Sequence, residues 1–223
     1  FNLSLGNVYF QGSGFCNVAE NVDVQISGLV NVAKRVDAFQ IGLINIADSV
    51  AGLSFGLINL IKKGYNKIEL SAGDALYGNL AFKLGTRNFY NIFQVGTNFK
   101  RNLQGTGLIW GYGYGFGFFQ KISKDFKINP EVIVSNVQEN RIIKPDLNLL
   151  NQFKLFFHFT ENRQFEIFAG PTVNFMISNI KGDDGTLIGS NIYKSPIIER
   201  TIGDFLEPIN AKFWIGFNAG IRI

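Results

Sequence analysis

Trp110-Gly111-Tyr112-Gly113-Tyr114-Gly115-Phe116-Gly117-Phe118 alternates aromatic residues with glycine throughout. Successive side chains of a strand point to opposite faces, so this segment has one wholly aromatic face and one bare face. A strand of a water-soluble sandwich would bury the aromatics and show polar groups on its other side. A bare second face fits another setting, with aromatics against lipid and glycines against bulky groups inside a barrel. A glycine-rich phosphate loop would need a helix start after the glycines, and nothing beyond Phe118 has helical periodicity. Trp110, Tyr112, Tyr114, Phe116 and Phe118 are therefore expected to face lipid. Trp214 or Phe156 are expected to fill the space over Gly111 to Gly117.

The flanking segments keep the same two-residue period. Ile68, Leu70 and Ala72 oppose Lys67, Glu69 and Ser71. Phe126, Ile128, Pro130, Val132 and Val134 oppose Lys127, Asn129 and Glu131. Phe153, Leu155, Phe157 and Phe159 oppose Lys154, Phe156 and His158. Ile167, Ala169, Val173, Phe175 and Ile177 oppose Glu166, Gly170, Thr172 and Asn174. Pro171 cannot donate to a ladder and predicts a bulge. Phe213, Ile215, Phe217, Ala219 and Ile221 oppose Trp214, Gly216, Asn218, Gly220 and Arg222. With strands over Asn79 to Leu84 and Phe89 to Phe99, this region holds seven or eight strands. Their joins alternate between short (85–88, 121–125, 160–163) and long (98–107, 138–146, 181–210). That alternation is the pattern of outer-membrane barrels.

The first 64 residues are organised differently. Gly14-Phe15-Cys16-Asn17-Val18-Ala19 returns at Gly28, Gly42 and Gly56, a step of fourteen residues each time. Val8, Val22, Val36 and Val50 fall in the same register. Repetition at a fixed step marks a repeated structural unit. Two architectures fit it. One is an antiparallel meander of ten-residue strands joined by turns; the other is a flat parallel solenoid with Asn17, Asn31, Asn45 and Asn59 stacked as a ladder. The meander is the favoured reading because barrel strands follow. It adds about five strands and predicts one all-β domain over 1–223, an antiparallel transmembrane barrel of about 12–14 strands with repeat strands over 1–64.

Bulk properties narrow the function. The chain has 223 residues and a net charge of +4, with 23 Phe and 25 Gly. No apolar run approaches the ~18 residues of a spanning helix, which leaves barrel strands open. The basic residues are scattered, so no nucleic-acid partner is expected. Cys16, the single cysteine, sits in an apolar pattern and reads as a small hydrophobe. No signal peptide is visible, and Phe1 to Leu5 reads as mid-strand, which predicts residues upstream.

The Gly-Leu-Ile-Asn-Ile-Ala core of the repeat resembles the leptospiral-type surface repeats common in Bacteroidota. Phe89-Tyr90-Asn91-Ile92-Phe93, the Gly-Tyr-Gly-Tyr-Gly run and Phe168-Ala169-Gly170-Pro171 resemble the barrel half of the same Bacteroidota proteins. The resemblance covers most of the chain and implies a place in the bacterial outer membrane; it carries no reaction and no functional residues. Gly220-Ile221-Arg222-Ile223 departs from the terminal aromatic usual in such barrels.

Lys67, Glu69, Lys127, Glu131, Lys154, His158, Glu166 and Arg222 fall on inward faces. A selective pore would show one sign of charge in a ring, whereas this mixture is expected to pair across the lumen. Glu131 and Glu166 could form an acid/base pair, but His158 has no serine at a telling spacing, so no enzyme is expected. Lys181-Gly182-Asp183-Asp184-Gly185 lacks the alternating ligands of a calcium loop, and no metal or cofactor is expected. The expected function is that of a non-enzymatic outer-membrane barrel, a structural or accessory subunit. Its partners are the lipid bilayer and other outer-membrane proteins. A porin-like diffusion channel and a soluble β-solenoid surface protein are the alternatives.

Overall fold

The computed structural model describes residues 1–101, 105, 107–121, 127–139, 146–161, 165–182, 184–203 and 208–223. The chain divides into two compact units. One comprises Phe1–Lys67, Phe82–Ile92 and Phe116–Gln120; the other comprises Ile68–Ala81, Phe93–Gly115 and Lys121–Ile223. Among the described residues there is no helix long and apolar enough to cross a membrane.

The repeats form a parallel stack. Its strands are β1 (Asn2–Ser13), β2 (Cys16–Ser27), β3 (Val30–Ile41), β4 (Ile44–Val50), β5 (Leu53–Phe55) and β6 (Ile58–Ile61). They pair in the order β1-β2-β3-β4-β6, with β5 on β3. Asn17 is aligned with Asn31, Asn31 with Asn45, and Asn45 with Asn59. The favoured antiparallel meander is thus corrected to a solenoid. Each fourteen-residue step is one turn of a coil that doubles back on itself. The Asn17 side chain donates to the carbonyl of Ile26 at 2.7 Å. Nine residues of straight strand would hold those groups about 30 Å apart, so the rung must fold over. Coiling also explains why the same residue type recurs inward. A coil returns each asparagine to one face, one strand spacing further on, whereas two-residue hairpins would flip it. Gly6, at φ +117°, sits where the β1–β2 register shifts between Ser4 and Asn7; glycine alone adopts that backbone freely. Ala19, Val22, Ala33, Val36, Ala47 and Ile61 make the apolar part of the coil interior.

The remaining strands are β7 (Lys67–Gly73), β8 (Gly78–Gly85), β9 (Tyr90–Arg101), β10 (Leu108–Gly117), β11 (Gln120–Lys121), β12 (Lys127–Gln138), β13 (Asn148–Glu161), β14 (Glu166–Ser178), β15 (Ile198–Ile202) and β16 (Ile209–Arg222). The sheet runs β10-β9-β8-β7-β16-β14-β13-β12, and β10 pairs with β12 to close it. The result is an eight-stranded barrel. The expectation of 12–14 strands is corrected because the repeat strands pair among themselves and add nothing to the barrel wall. The eight alternating segments read from the sequence are the eight staves.

Along the staves most outward positions are apolar, with Asn136, Asn151 and Arg101 among the exceptions. On β14 the outward residues are Ile167, Ala169, Pro171, Val173, Phe175 and Ile177, between buried Glu166, Phe168, Thr172, Asn174, Met176 and Ser178. Ten strand steps at a barrel tilt near 40° rise about 25 Å. Register between β14 and β16 is unbroken through Pro171, which pairs with Phe217. The bulge expected there is instead a register shift on β13 between His158 and Thr160. The outward-facing Pro171 ring is accommodated without interrupting the ladder.

The alternating segment that predicted this fold lies at the closing seam. Trp110, Tyr112, Phe116 and Phe118 are exposed, and Tyr114 is half-buried beside Phe93 at 5.4 Å. Its glycine face is not covered by Trp214 or Phe156, contrary to expectation. A Cβ on Gly111 would meet the Asn136 carbonyl at 3.1 Å, and one on Gly115 would meet Ile133 Cα at 2.9 Å. Gly113 lies against Ser135 and the Val134 carbonyl. The backbone of β12 itself fills the space. Eight strands close on a small radius, and side chains at these positions would hold β10 and β12 apart.

Candidate functional site

Two features could carry function: the barrel interior and the amide ladders of the stack. At one end the interior is charged. Register places Glu166, Arg222 and Glu69 side by side on β14, β16 and β7. Arg222 Nε donates to Glu69 at 2.7 Å, while Nη2 reaches Glu131 on β12 at 2.8 Å. Nη1 donates to Asn129 at 2.6 Å. The guanidinium lies 4.2 Å from the Phe168 ring centre and 5.5 Å from that of Phe156. Lys154, the strand neighbour of Glu131, donates to Gln94 at 3.1 Å. Five of the eight expected inward charges (Glu69, Glu131, Lys154, Glu166 and Arg222) are buried to within 1%.

The other three differ. His158 is half-buried on β13, its ring 6.3 Å from that of Phe168. Lys67 is half-buried at the start of β7 and belongs to the first unit. The Lys127 side chain lies outside the described residues.

At the opposite end the interior is apolar. Ala75, Leu76, Ile109, Val137, Leu150, Met176 and Trp214 form one cluster with Ile192, a residue of the long 181–210 segment. Tyr193 stacks on Trp214 at 4.6 Å with the planes 4° apart. Trp214 Nε1 donates to Asp74, which also accepts from Asn174 at 3.2 Å. The Glu139 carboxylate holds the same segment, accepting from Ser190 Oγ and from the Asn191 backbone at 2.8 Å. Lys212 Nζ donates to the Ser190 carbonyl at 2.8 Å. Residues 190–193 thus fold into the barrel mouth. Trp214, Arg222, Lys154, Phe156 and Phe168 are among the largest fully buried side chains. An eight-stranded barrel is wide enough to be filled by side chains and little else.

Sequence reasoning missed several of these groups. Asp74, Glu139 and Ser190 lie outside the alternating pattern, which carries no signal for them. Lys83, buried on β8 with its ammonium 5.5 Å from the Tyr90 ring centre, was legible. It continues the Asn79, Ala81 alternation inward. At the end of the calcium-like segment, residues 184–186 form a capped turn. Asp184 Oδ1 accepts from Thr186 N at 3.0 Å and Thr186 Oγ1 at 2.6 Å, which holds its carboxyl below the usual range. Asp183 lies outside the described residues.

The stack carries two amide ladders. Asn17 donates to Asn31 at 3.1 Å, Asn31 to Asn45 at 3.0 Å, and Asn45 to Asn59 at 2.9 Å. Asn91 of β9 ends the series, accepting from Asn59 at 2.7 Å and donating to the Gly56 carbonyl at 2.9 Å. A second ladder runs from Gln40 to Gln25 and from Gln25 to Gln11, each at 2.9 Å. Buried amides are tolerated only when hydrogen-bonded, and each rung satisfies the next. Cys16 is half-buried on the outward side of β2. No protein-family model, curated protein or solved structure matches the chain.

Proposed function

We propose that this chain is a non-enzymatic integral protein of a bacterial outer membrane. In this reading the barrel spans the bilayer with a filled lumen, and the chain serves as a structural or accessory subunit of a larger membrane assembly. The observation that carries the reading is the inversion of the barrel. Its outward positions are mostly apolar around the staves, while Arg222, Glu69, Glu131 and Lys154 are inside. In water this arrangement would expose a broad apolar surface and bury charge at a cost. In a bilayer the outward face is solvated by hydrocarbon, and closure leaves no backbone edge in the wall. The ~25 Å rise of the outward β14 residues fits the hydrocarbon core.

The accessory role rests on two further observations. The interior is packed rather than lined by a ring of one charge. The outer edge of β1 ends the parallel stack with no strand beyond it among the described residues. Such an edge is a template for pairing.

Three measurements test the proposal. The folded chain should migrate faster than the boiled chain on a denaturing gel and should need detergent for extraction from membranes. Extraction by salt or alkali alone would instead support a soluble solenoid protein. In planar bilayers the purified chain should give no steady open-channel current; a reproducible unitary conductance would replace this reading with a diffusion channel.

A further inference from the structure

The repeat stack is inverted in the same sense as the barrel. Its interior holds Asn17, Gln25, Asn31 and Gln40, all fully buried, while the outward columns along its two legs are largely apolar. On the first leg of each rung the outward column is Val18, Val32, Ile46 and Leu60, in strand register. This column lines an open groove of about 750 Å³, whose rim carries Glu20, Lys34, Asp48 and Lys62. On the second leg Ile26, Ile41 and Phe55 stand outward and exposed. Solenoids bathed in water place polar residues on such faces, and exposed apolar patches of this extent mark a contact surface.

Charge clusters where each rung turns, and there Arg35 also pairs with exposed Asp37 at 2.7 Å. Glu20, Lys34, Asp48 and Lys62 follow the buried alanine or isoleucine of each rung, and Lys34 pairs with Glu20 at 2.6 Å. The opposite corner carries Gly28, Gly42 and Gly56, each followed by an exposed leucine (Leu29, Leu43 and Leu57). A rung therefore has a charged base, two apolar faces and an apolar tip.

Contacts inside the first unit give the rungs a depth. Asn88 Nδ2 donates to the Gly52 carbonyl at 3.0 Å, close to the charged corner. The Phe89 ring lies 4.7 Å from Phe55. Asn91 bonds to Gly56, at the tip. Within the first unit the base of the rung therefore lies beside Asn88 and its tip beside Asn91. Phe89 also stacks on Phe116 at 5.8 Å, so the outward face of the rung is continuous with the last exposed aromatics of β10.

We propose that the repeat stack is a lipid-embedded blade. Hydrocarbon covers both outward faces and the leucine tip, and the charged corner lies at the water boundary. The inference rests on the reading that the barrel spans a bilayer. Pairing between rungs satisfies the backbone of the inner strands, which is what makes hydrocarbon an acceptable neighbour. The outer edge of β1 is excluded from this covering, because lipid cannot satisfy its amides.

The native chain supplies the probe. Cys16, the only cysteine, stands on the outward face of β2. A fluorophore on Cys16 is read in vesicles of phosphatidylcholine with brominated acyl chains, and separately against aqueous iodide. Two comparison chains carry Cys16→Ala with either Val134→Cys, on the barrel exterior, or Lys34→Cys, at the charged corner. Faster gel migration before boiling confirms that each is folded. The Cys16 label should lose emission to brominated lipid as fully as the Val134 label and ignore iodide; the Lys34 label should do the reverse. If the Val134 label responds to lipid while Cys16 responds to iodide, the blade is refuted and the membrane barrel stands. A Cys16 label shielded from both quenchers means that protein covers the face, which also refutes it. If neither label responds to lipid, the membrane reading fails and the blade with it.

Discussion

Replacing Arg222 by methionine tests whether the barrel interior is held by charge or by packing. Methionine keeps much of the aliphatic stem and removes the guanidinium. Two ion pairs, at 2.7 Å to Glu69 and 2.8 Å to Glu131, are lost together with the 2.6 Å bond to Asn129 and the stacking on Phe168. Both carboxylates are buried to within 1%, so water cannot replace the lost partner. Breaking a buried pair on one side costs about 3–5 kcal/mol, because a charge is left uncompensated. With a urea dependence of roughly 2 kcal/mol per molar, the unfolding midpoint should fall by about 2 M. The buried Trp214 indole provides the fluorescence signal, and the gel shift gives an independent readout. Adding Glu69→Gln and Glu131→Gln to Arg222→Met removes the stranded charges, and most of the stability should return, since a whole buried pair is often replaceable at little net cost. A single variant within about 1 kcal/mol of wild type would refute the argument, being no more than an exposed pair is worth. So would a triple variant no more stable than the single one.

Three further outcomes follow from other regions. Asn31→Leu removes the donor to Asn45 and the acceptor of Asn17, so the stack should lose about 2–4 kcal/mol. Hydrogen exchange should show lost protection across residues 30–60, whereas Asn7→Ala, which removes only the exposed 2.8 Å bond from Asn21, should leave it intact. Gly115→Val pushes side-chain atoms into the Val132 carbonyl and Ile133 backbone, and should abolish the fast-migrating gel form; Gly14→Ala, with nothing within 4 Å of its Cβ, should not. Glu20 is held below the usual carboxylate range by its hydrogen bond and then by the charge of Lys34. A lowered carboxyl contributes stability at neutral pH that is lost as pH falls through its folded value. Both groups face solvent, with 68% of the Lys34 side chain and 41% of the Glu20 side chain exposed, and the pair is screened, so Lys34→Ala should return the Glu20 titration, followed by NMR, to the ordinary range without moving the melting temperature.

The staves were legible because one face of each meets a uniform environment, and a period of two survives in the sequence. The same period placed Glu69, Glu131, Lys154, Glu166 and Arg222 inside. It could not show that Arg222 crosses the lumen to Glu131, since that contact joins strands 91 positions apart. The parallel stack was harder to read. A fourteen-residue step fits a spanning strand with its turn as well as a coil, and Val, Ile and Leu outward with Asn inward is also the alternation of a barrel strand. The distinguishing sign was the recurrence of asparagine at one position without any flip of face. The strand count was overestimated because each rung was assigned to the barrel wall. The plug from Ser190 to Tyr193 left no trace, because a loop that packs inward keeps loop composition.

The two amide ladders run in opposite senses. Each asparagine hands its N–H to the following rung, while each glutamine hands its N–H to the preceding one. An amide carries a dipole, and a single file of aligned amides would sum to a field along the stack, as peptide units do in a helix. Here the two files oppose each other. Lengthening the stack by one rung adds a dipole in each direction, so little charge accumulates at either end. A single-file ladder would grow more polarised with every repeat, at a cost that rises as the surroundings become less polar. Counter-running ladders let repeats multiply at nearly constant electrostatic cost per rung, which suits a stack of polar interiors wrapped in apolar faces.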